Sequence, residues 1–319
     1  MKSYAVVGGA GFIGSHFVSR LLEKGYRVRV IDNFCSGTMG HIEKHLSHPN
    51  FILDEYDVTD TKKLSKSFGG VNTVIHLASN PDIAKAASEP RVDFLQGTVL
   101  SESVAEASRI AGVQQILYAS GSGVYGDAGN DLLVEDSQIR PISTYGASKF
   151  AGEMLFSAYS FMFGVKALAF RFANVVGPLQ THGVAYDFIR RLRTNPNELT
   201  ILGDGNQSKS YIDVSDVVNA VLLAEDLNKD DFNAFNISTD QQITVNEIAI
   251  LCIAALGIDH GRVALNYTGG DRGWKADVPV VKLGSEKIRD LGWLPTYSTS
   301  EAVRNSITSM VENMQDSES

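Results

Sequence analysis

Tyr145 and Lys149 stand four residues apart in the run Tyr145-Gly-Ala-Ser-Lys149. Residues at that spacing share one helix face, so a phenol and an ammonium project into the same space. A free tyrosine, with a pKa of about 10, is a poor base at neutral pH. A nearby ammonium favours the phenolate and brings that pKa toward the working range. Such pairs are common and functionally empty on helix surfaces, so the chemistry depends on what precedes them.

What precedes them is a glycine turn. Residues 4–14 read Tyr-Ala-Val-Val-Gly-Gly-Ala-Gly-Phe-Ile-Gly. The spacing Gly8-x-x-Gly11-x-x-Gly14 follows a predicted strand and opens a helix, and its glycines suit a tight turn, close approach to a pyrophosphate and close helix–strand packing. The helix from Phe12 and Ile13 then aims its free N–H groups at the phosphates. The next strand, Val28–Ile31, ends on Asp32, whose carboxylate can accept both hydroxyls of an adenosine ribose and repels a 2′-phosphate. NAD is therefore expected over NADP. Asp57-Val58, at the end of the third strand, suits a grip on the adenine.

These residues need a parallel sheet to hold them. Apolar runs at Tyr4–Val7, Val28–Ile31, Phe51–Leu53, Thr73–Leu77, Ile116–Ala119 and Val165–Phe170 read as strands buried on both faces. The stretches Ile13–Lys24, Val92–Ala111 and Ser143–Phe163 read as helices between them. That alternation predicts an α/β chain: a Rossmann-type, doubly wound parallel sheet with a smaller C-terminal α/β lobe. The expected boundaries are 1–177 for the NAD-binding domain, with a return at about 206–238. Residues 178–205 and 239–319 are expected to form the substrate lobe, ending in a polar tail at 315–319.

Composition narrows the class. Lys plus Arg number 28 against 37 for Asp plus Glu, a net charge of −9, which argues against nucleic acid or an anionic membrane as the partner. No apolar run approaches the roughly 20 residues of a membrane span, and the early glycines spoil a signal-peptide reading. The two cysteines, Cys35 and Cys252, cannot form a disulfide framework or a zinc site. His76 and His182 have no metal-ligand spacing and read as structural. A soluble, cytoplasmic enzyme without a metal is expected.

The segments Gly8-Gly-Ala-Gly-Phe-Ile-Gly14, Asp32-Asn33, Asp57-Val58, His76-Leu-Ala-Ser79, Val124-Tyr-Gly126, Tyr145-Gly-Ala-Ser-Lys149 and Arg171-Phe-Ala-Asn-Val-Val-Gly-Pro178 occur in this order. In that order they resemble the extended short-chain dehydrogenases/reductases. Within these the chain is most similar to the nucleotide-sugar epimerases, of the archaeal UDP-glucose 4-epimerase type. The resemblance runs nearly to the end, through Leu202-Gly-Asp-Gly-Asn-Gln, Ser210-Tyr-Ile-Asp-Val and Leu291-Gly-Trp-Leu-Pro295. It implies Tyr145 as catalytic base with Lys149 as its partner. It also implies Asn33, Ser36 and Gly37 along the adenosine, and Leu77, Ala78 and Ser79 along the pyrophosphate and ribose. On the substrate side it implies Tyr125, Asn174, Lys209 and Arg272 around a UDP-sugar. It further implies a homodimer in which Val92–Ala111 and Ser143–Phe163 pair across the axis, and epimerisation at C4 of a UDP-hexose through a 4-keto sugar.

Two positions depart from the family. Relatives carry Ser or Thr four residues before the tyrosine of Val-Tyr-Gly, where this chain has Gly121; Ser122, Ser120 or a water is left to supply that hydroxyl. Gly97 replaces an asparagine that relatives place near the cofactor. Family dehydratases carry Asp-Glu where this chain has Ser122-Gly123, so the dehydratase reading ranks below epimerisation. The remaining alternatives are another oxidoreductase of this kind acting on a nucleotide sugar and a non-catalytic NAD-binding sensor, the latter with Gly121 as its support.

Overall fold

The computed structural model describes residues 1–273 and 276–316. Trp274 and the last three residues of the polar tail lie outside the described residues. Chain order is β1 (Ser3–Val7), α1 (Phe12–Glu23), β2 (Arg27–Asp32), β3 (Phe51–Glu55), α2 (Thr61–Ser67), β4 (Thr73–His76), α3 (Leu100–Ala111), β5 (Gln115–Gly121), β6 (Leu132–Leu133), α4 (Thr144–Phe163), β7 (Lys166–Phe172) and β8 (Asn174–Val176). Then follow α5 (Val184–Thr194), β9 (Glu198–Ile201), β10 (Ser208–Lys209), β11 (Tyr211–Asp213), α6 (Val214–Leu227), β12 (Phe232–Ile237), β13 (Ile243–Thr244), α7 (Val245–Ala255), β14 (Ala264–Tyr267), β15 (Val280–Leu283), α8 (Glu286–Arg289) and α9 (Thr299–Asp316).

Seven strands form one sheet in the order β12-β7-β5-β4-β1-β2-β3, every pair parallel. Alternate side chains of a strand face opposite sides, and here both sides are covered. Tyr4, Val6, Val28, Val30, Leu117 and Phe170 join one buried cluster with α1 and α6. Ala5, Val7, Ile31, Val74, Ile116 and Ala169 join another with α2, α3 and α4. That two-sided burial is why the strands read as unbroken apolar runs. From β1 the chain proceeds to β2 on one side, and to β4 on the other. The strand order thus reverses between β1 and β4, which opens a crevice at their C-terminal ends.

After β8 the elements are shorter. A third cluster packs α5, α7 and α9 around Phe188, Ile189, Leu199, Ile201, Ile248 and Ile307. Small sheets β13-β10-β15-β6, β11-β8 and β14-β9 complete this part, and β12 returns the chain to the edge of the large sheet beside β7.

The helix expected over Val92–Ala111 is not uniform. Phe94–Val99 is π-helical and runs into α3. A Cβ at Gly97 would stand 2.6 Å from Ser148 Oγ on α4, so the glycine lets the two helices approach here. A π-turn of this kind re-aims neighbouring side chains and is frequent at functional sites.

Candidate active site

The crevice is a cleft of about 1270 Å³, walled on one side by the first glycine turn and the ends of β1, β2, β4 and β5, and on the other by residues from α5, β10 and β15. Gly8 adopts φ +81°, and a Cβ there would come 2.8 Å from Ala78 N; a Cβ at Gly14 would collide with the Gly8 carbonyl. Only glycine satisfies both positions. Gly11 caps α1 without a side-chain acceptor and no acidic residue stands in the first turn, so the N–H groups from Phe12 onward are left for an anion.

Asp32 is 7% exposed at the end of β2. Its Oδ2 accepts from Ala10 N and its Oδ1 from Phe34 N, both at 2.9 Å. Each oxygen keeps a lone pair for a ribose hydroxyl. Asn33 Nδ2 donates to Asp57 Oδ2 at 3.2 Å. Hydrogen bonds from the Thr59 backbone and side chain hold the Asp57 carboxyl below the usual carboxylate range. Gly8, Gly11, Phe12, Ile13, Gly14, Asp32, Asn33, Ser36, Asp57, Val58, Leu77, Ala78 and Ser79 all line the cleft. Gly37 does not; it packs behind the turn against Ala10 and Asp32. The cradle, with the Asp32 carboxylate at the end of β2, fits a dinucleotide with an unphosphorylated adenosine ribose.

Ser143 caps α4 by accepting from Gly146 N at 3.0 Å, which starts the helix just before Tyr145. Lys149 lies one turn on, its Nζ 5.4 Å from the Tyr145 ring centre and donating to the Ala119 carbonyl at 2.8 Å. Burial pushes the Tyr145 phenol up to about 12; hydrogen bonding with the Ser79 side chain works against that rise and the Asp93 carboxylate adds to it. Burial pulls the Lys149 ammonium down to about 8, with Asp93 opposing. At neutral pH the phenol is therefore protonated, and an added positive charge beside it would favour the phenolate.

Ser122 and Gly123 face the cleft with Gly121. Ser120 also lines the cleft, but its hydroxyl proton is committed to the buried Glu153 at 2.5 Å, which leaves it only as an acceptor. Asn174, Lys209 and Val281 line the far part of the cleft, and Lys209 Nζ is paired with Asp277 Oδ1 at 2.5 Å.

Two expected substrate contacts are not brought there. Tyr125 is 2% exposed and turned into the core; its hydroxyl donates to Asn236 Oδ1 at 2.7 Å and accepts from Arg171 Nη1 at 2.9 Å. Arg272 lies outside the lining, held by Asp127 at 2.6 Å and the Asp277 carbonyl at 2.8 Å. His182 lines the cleft although its spacing read as structural. His76 is buried against Tyr118 and Phe156, where burial lowers its imidazole to about 3. Asn80 and Asp93 were not singled out from the sequence. Asn80 carries no sequence signal, and Asp93 only that of an aspartate inside a stretch read as a helix.

The sequence pattern of the NAD dependent epimerase/dehydratase family matches residues 4–238. A solved UDP-galactose 4-epimerase is 37% identical and superposes with a TM-score of 0.86, over 98% of this chain and 99% of that one. A Thermotoga maritima UDP-glucose 4-epimerase solved with UDP-glucose is 32% identical, with a TM-score of 0.87 over 98% and 99% of the two chains. A Methanocaldococcus jannaschii protein, provisionally named UDP-glucose 4-epimerase, is 29% identical over 97% of this chain and 98% of its own length. The chain belongs to the NAD dependent epimerase/dehydratase family, and is an epimerase-class enzyme with NAD as its cofactor. Among the described residues no helix is long and apolar enough to cross a membrane.

Proposed function

We propose that the protein interconverts the C4 epimers of a UDP-hexose, UDP-glucose with UDP-galactose or their N-acetyl forms, through a 4-keto sugar. The observation that carries this reading is the Tyr145–Lys149 pair facing one cleft that joins a dinucleotide turn to a second, substrate-sized space. NAD, held by the glycine turn and Asp32, would supply a reversible hydride acceptor. Tyr145 takes the 4-hydroxyl proton as the C4–H electrons leave, and returns a proton to that oxygen once the sugar has turned about its diphosphate. Lys149 favours the phenolate by its charge and is placed to hold the nicotinamide ribose. Ser122 offers a hydroxyl toward the sugar, and Asn174 and Lys209 are the residues we assign to the nucleotide. The names of full-length relatives and solved neighbours support the same activity.

Ser122 and Gly123 place no carboxylate at these two positions of the loop after β5, where β-elimination would call for an acid and a base. We further place the enzyme in the cytoplasm as a homodimer. The dimer is supported by the bare apolar end of α4, where Phe161 is 93% and Met162 67% exposed.

Incubation with each of the four UDP-sugars tests this reading. The expected product is the C4 epimer with no accumulation of reduced cofactor, and Tyr145→Phe is expected to lower turnover by about 100-fold or more. A 4-keto-6-deoxy product, reduced cofactor in proportion to substrate, or unchanged turnover in Tyr145→Phe would overturn it.

A further inference from the structure

We propose that the Ser79 hydroxyl donates a hydrogen bond to the Tyr145 phenol oxygen, and that Asn80, Asp93 and Thr144 form the clamp that holds the two residues together. The inference rests on the proposed function only in taking Tyr145 as the base.

The loop after β5 has nothing to offer the phenol at position 121. Gly121 has no side chain, no atom lies within 4 Å of where its Cβ would be, and the neighbouring Ser120 is spent on Glu153. The adjacent wall of the cleft, after β4, carries a hydroxyl instead. Ser79 lines the cleft together with Tyr145, and the residue after Ser79 and the residue before Tyr145 meet on one carboxylate.

A three-residue bridge fixes that approach. Asp93, 1% exposed, accepts from Asn80 Nδ2 on one oxygen at 2.9 Å and from Thr144 Oγ1 on the other at 2.6 Å. One donor is the residue after Ser79 and the other is the residue before Tyr145, so a single buried carboxylate spans the two backbones that bear the reacting hydroxyls. Asn80 has little freedom of its own: its Nδ2 also donates to the Asp82 carbonyl at 2.7 Å, and its Oδ1 accepts from Asp82 N at 3.0 Å. Buried, satisfied networks of this kind hold one geometry, because any displacement leaves a polar group unpaired.

Three charged or titratable groups surround the phenol besides Ser79: Lys149 on its own helix, Asp93 before the π-turn, and Tyr118 on β5. Asp93 opposes ionisation of Tyr145. Ser79 offsets that penalty by donating to the phenolate, and Lys149 does so by charge.

The test is a titration of phenolate absorbance in the NAD-loaded protein, with the Tyr145→Phe curve subtracted to isolate Tyr145. Ser79→Ala is expected to raise the midpoint by about half to one pH unit, and Ser79→Thr to keep it. Thr144→Val is expected to raise it by a smaller amount, and Thr144→Ser to keep it. The acid limb of turnover should move by the same amount, with KM for the nucleotide sugar unchanged. A folded Ser79→Ala protein with an unmoved midpoint overturns the proposal, as does a Thr144→Val midpoint equal to that of the parent. The titration needs no sugar. Inactivity toward every UDP-hexose alongside these shifts would overturn the proposed function and leave this inference standing, and turnover without the shifts would do the reverse.

Discussion

Lys149 turns its ammonium to the Ala119 carbonyl, 2.8 Å away at the end of β5, and is 3% exposed. Burial lowers its pKa from the ordinary 10.5 to about 8. Between those values the unfolded chain binds a proton that the folded chain does not, so stability rises with pH across that window. Below pH 8 the folded state carries the buried charge at a cost of up to about 3 kcal/mol. Lys149→Met should therefore raise the Tm of the cofactor-free protein at pH 7, with the gain shrinking toward pH 10, while turnover is lost. Thermal melts at both pH values decide it; an equal Tm change at each would show that the charge is not the cause.

Asp32 does two jobs with one carboxylate. It pins the glycine turn through Ala10 N and the following loop through Phe34 N, and it keeps a lone pair on each oxygen for the ribose we assign to it. Charge-assisted hydrogen bonds contribute about 1.5–3 kcal/mol, so Asp32→Ala should weaken NAD binding by about 10- to 100-fold, measured by calorimetry. The same substitution removes the charge that repels a 2′-phosphate, so discrimination against NADP should narrow. Unaltered NAD affinity would remove Asp32 from the cofactor site.

The β1–α1–β2 frame was legible because its signals are local: a strand, a glycine spacing fixed by backbone approach, and an acid at the next strand end. Tyr145 and Lys149 were legible because helix periodicity places them together. Tyr125 was placed at the substrate by the resemblance, and a matching motif does not fix side-chain direction; here its hydroxyl completes the Arg171 network. Arg272 was misplaced for a related reason, its charge being taken by Asp127 from a segment 145 residues away. Asp93 was hidden because its partners come from two other elements, and no spacing rule connects positions 80, 93 and 144. The π-turn was hidden too, since its cause at Gly97 is a side chain on α4.

Lys209 meets the cleft already paired, at 2.5 Å from Asp277. On the assignment proposed above, a diphosphate arriving there would compete with a carboxylate for the same ammonium. Lys209→Met should raise KM for a UDP-sugar by about tenfold or more with little change in kcat, because the contact is alike in ground and transition states. Asp277→Asn should lower KM or leave it unmoved. Steady-state kinetics at two salt concentrations check both, and a fall in kcat alone for Lys209→Met would place the residue elsewhere in the cycle.

Glu153 and Arg171 form an ion pair at 2.8 Å with side chains 0% and 6% exposed. Arg171 also donates to Tyr125 and the Glu135 carbonyl, and Ser120 donates to Glu153, so the pair ties α4 to β5 and β7 directly beneath the Tyr145 face. Removing one partner leaves a buried, uncompensated charge at a cost of about 3–5 kcal/mol, whereas replacing both with apolar residues can be close to neutral. Glu153→Leu alone should therefore destabilise strongly, and adding Arg171→Met should recover most of that loss. Denaturant unfolding of both single variants and the double variant gives the coupling energy directly. If the double variant instead loses the sum of the two single effects, the pair is not acting as a unit. Stability recovered without turnover would show that its role is to hold α4, and with it Tyr145, in register with β5.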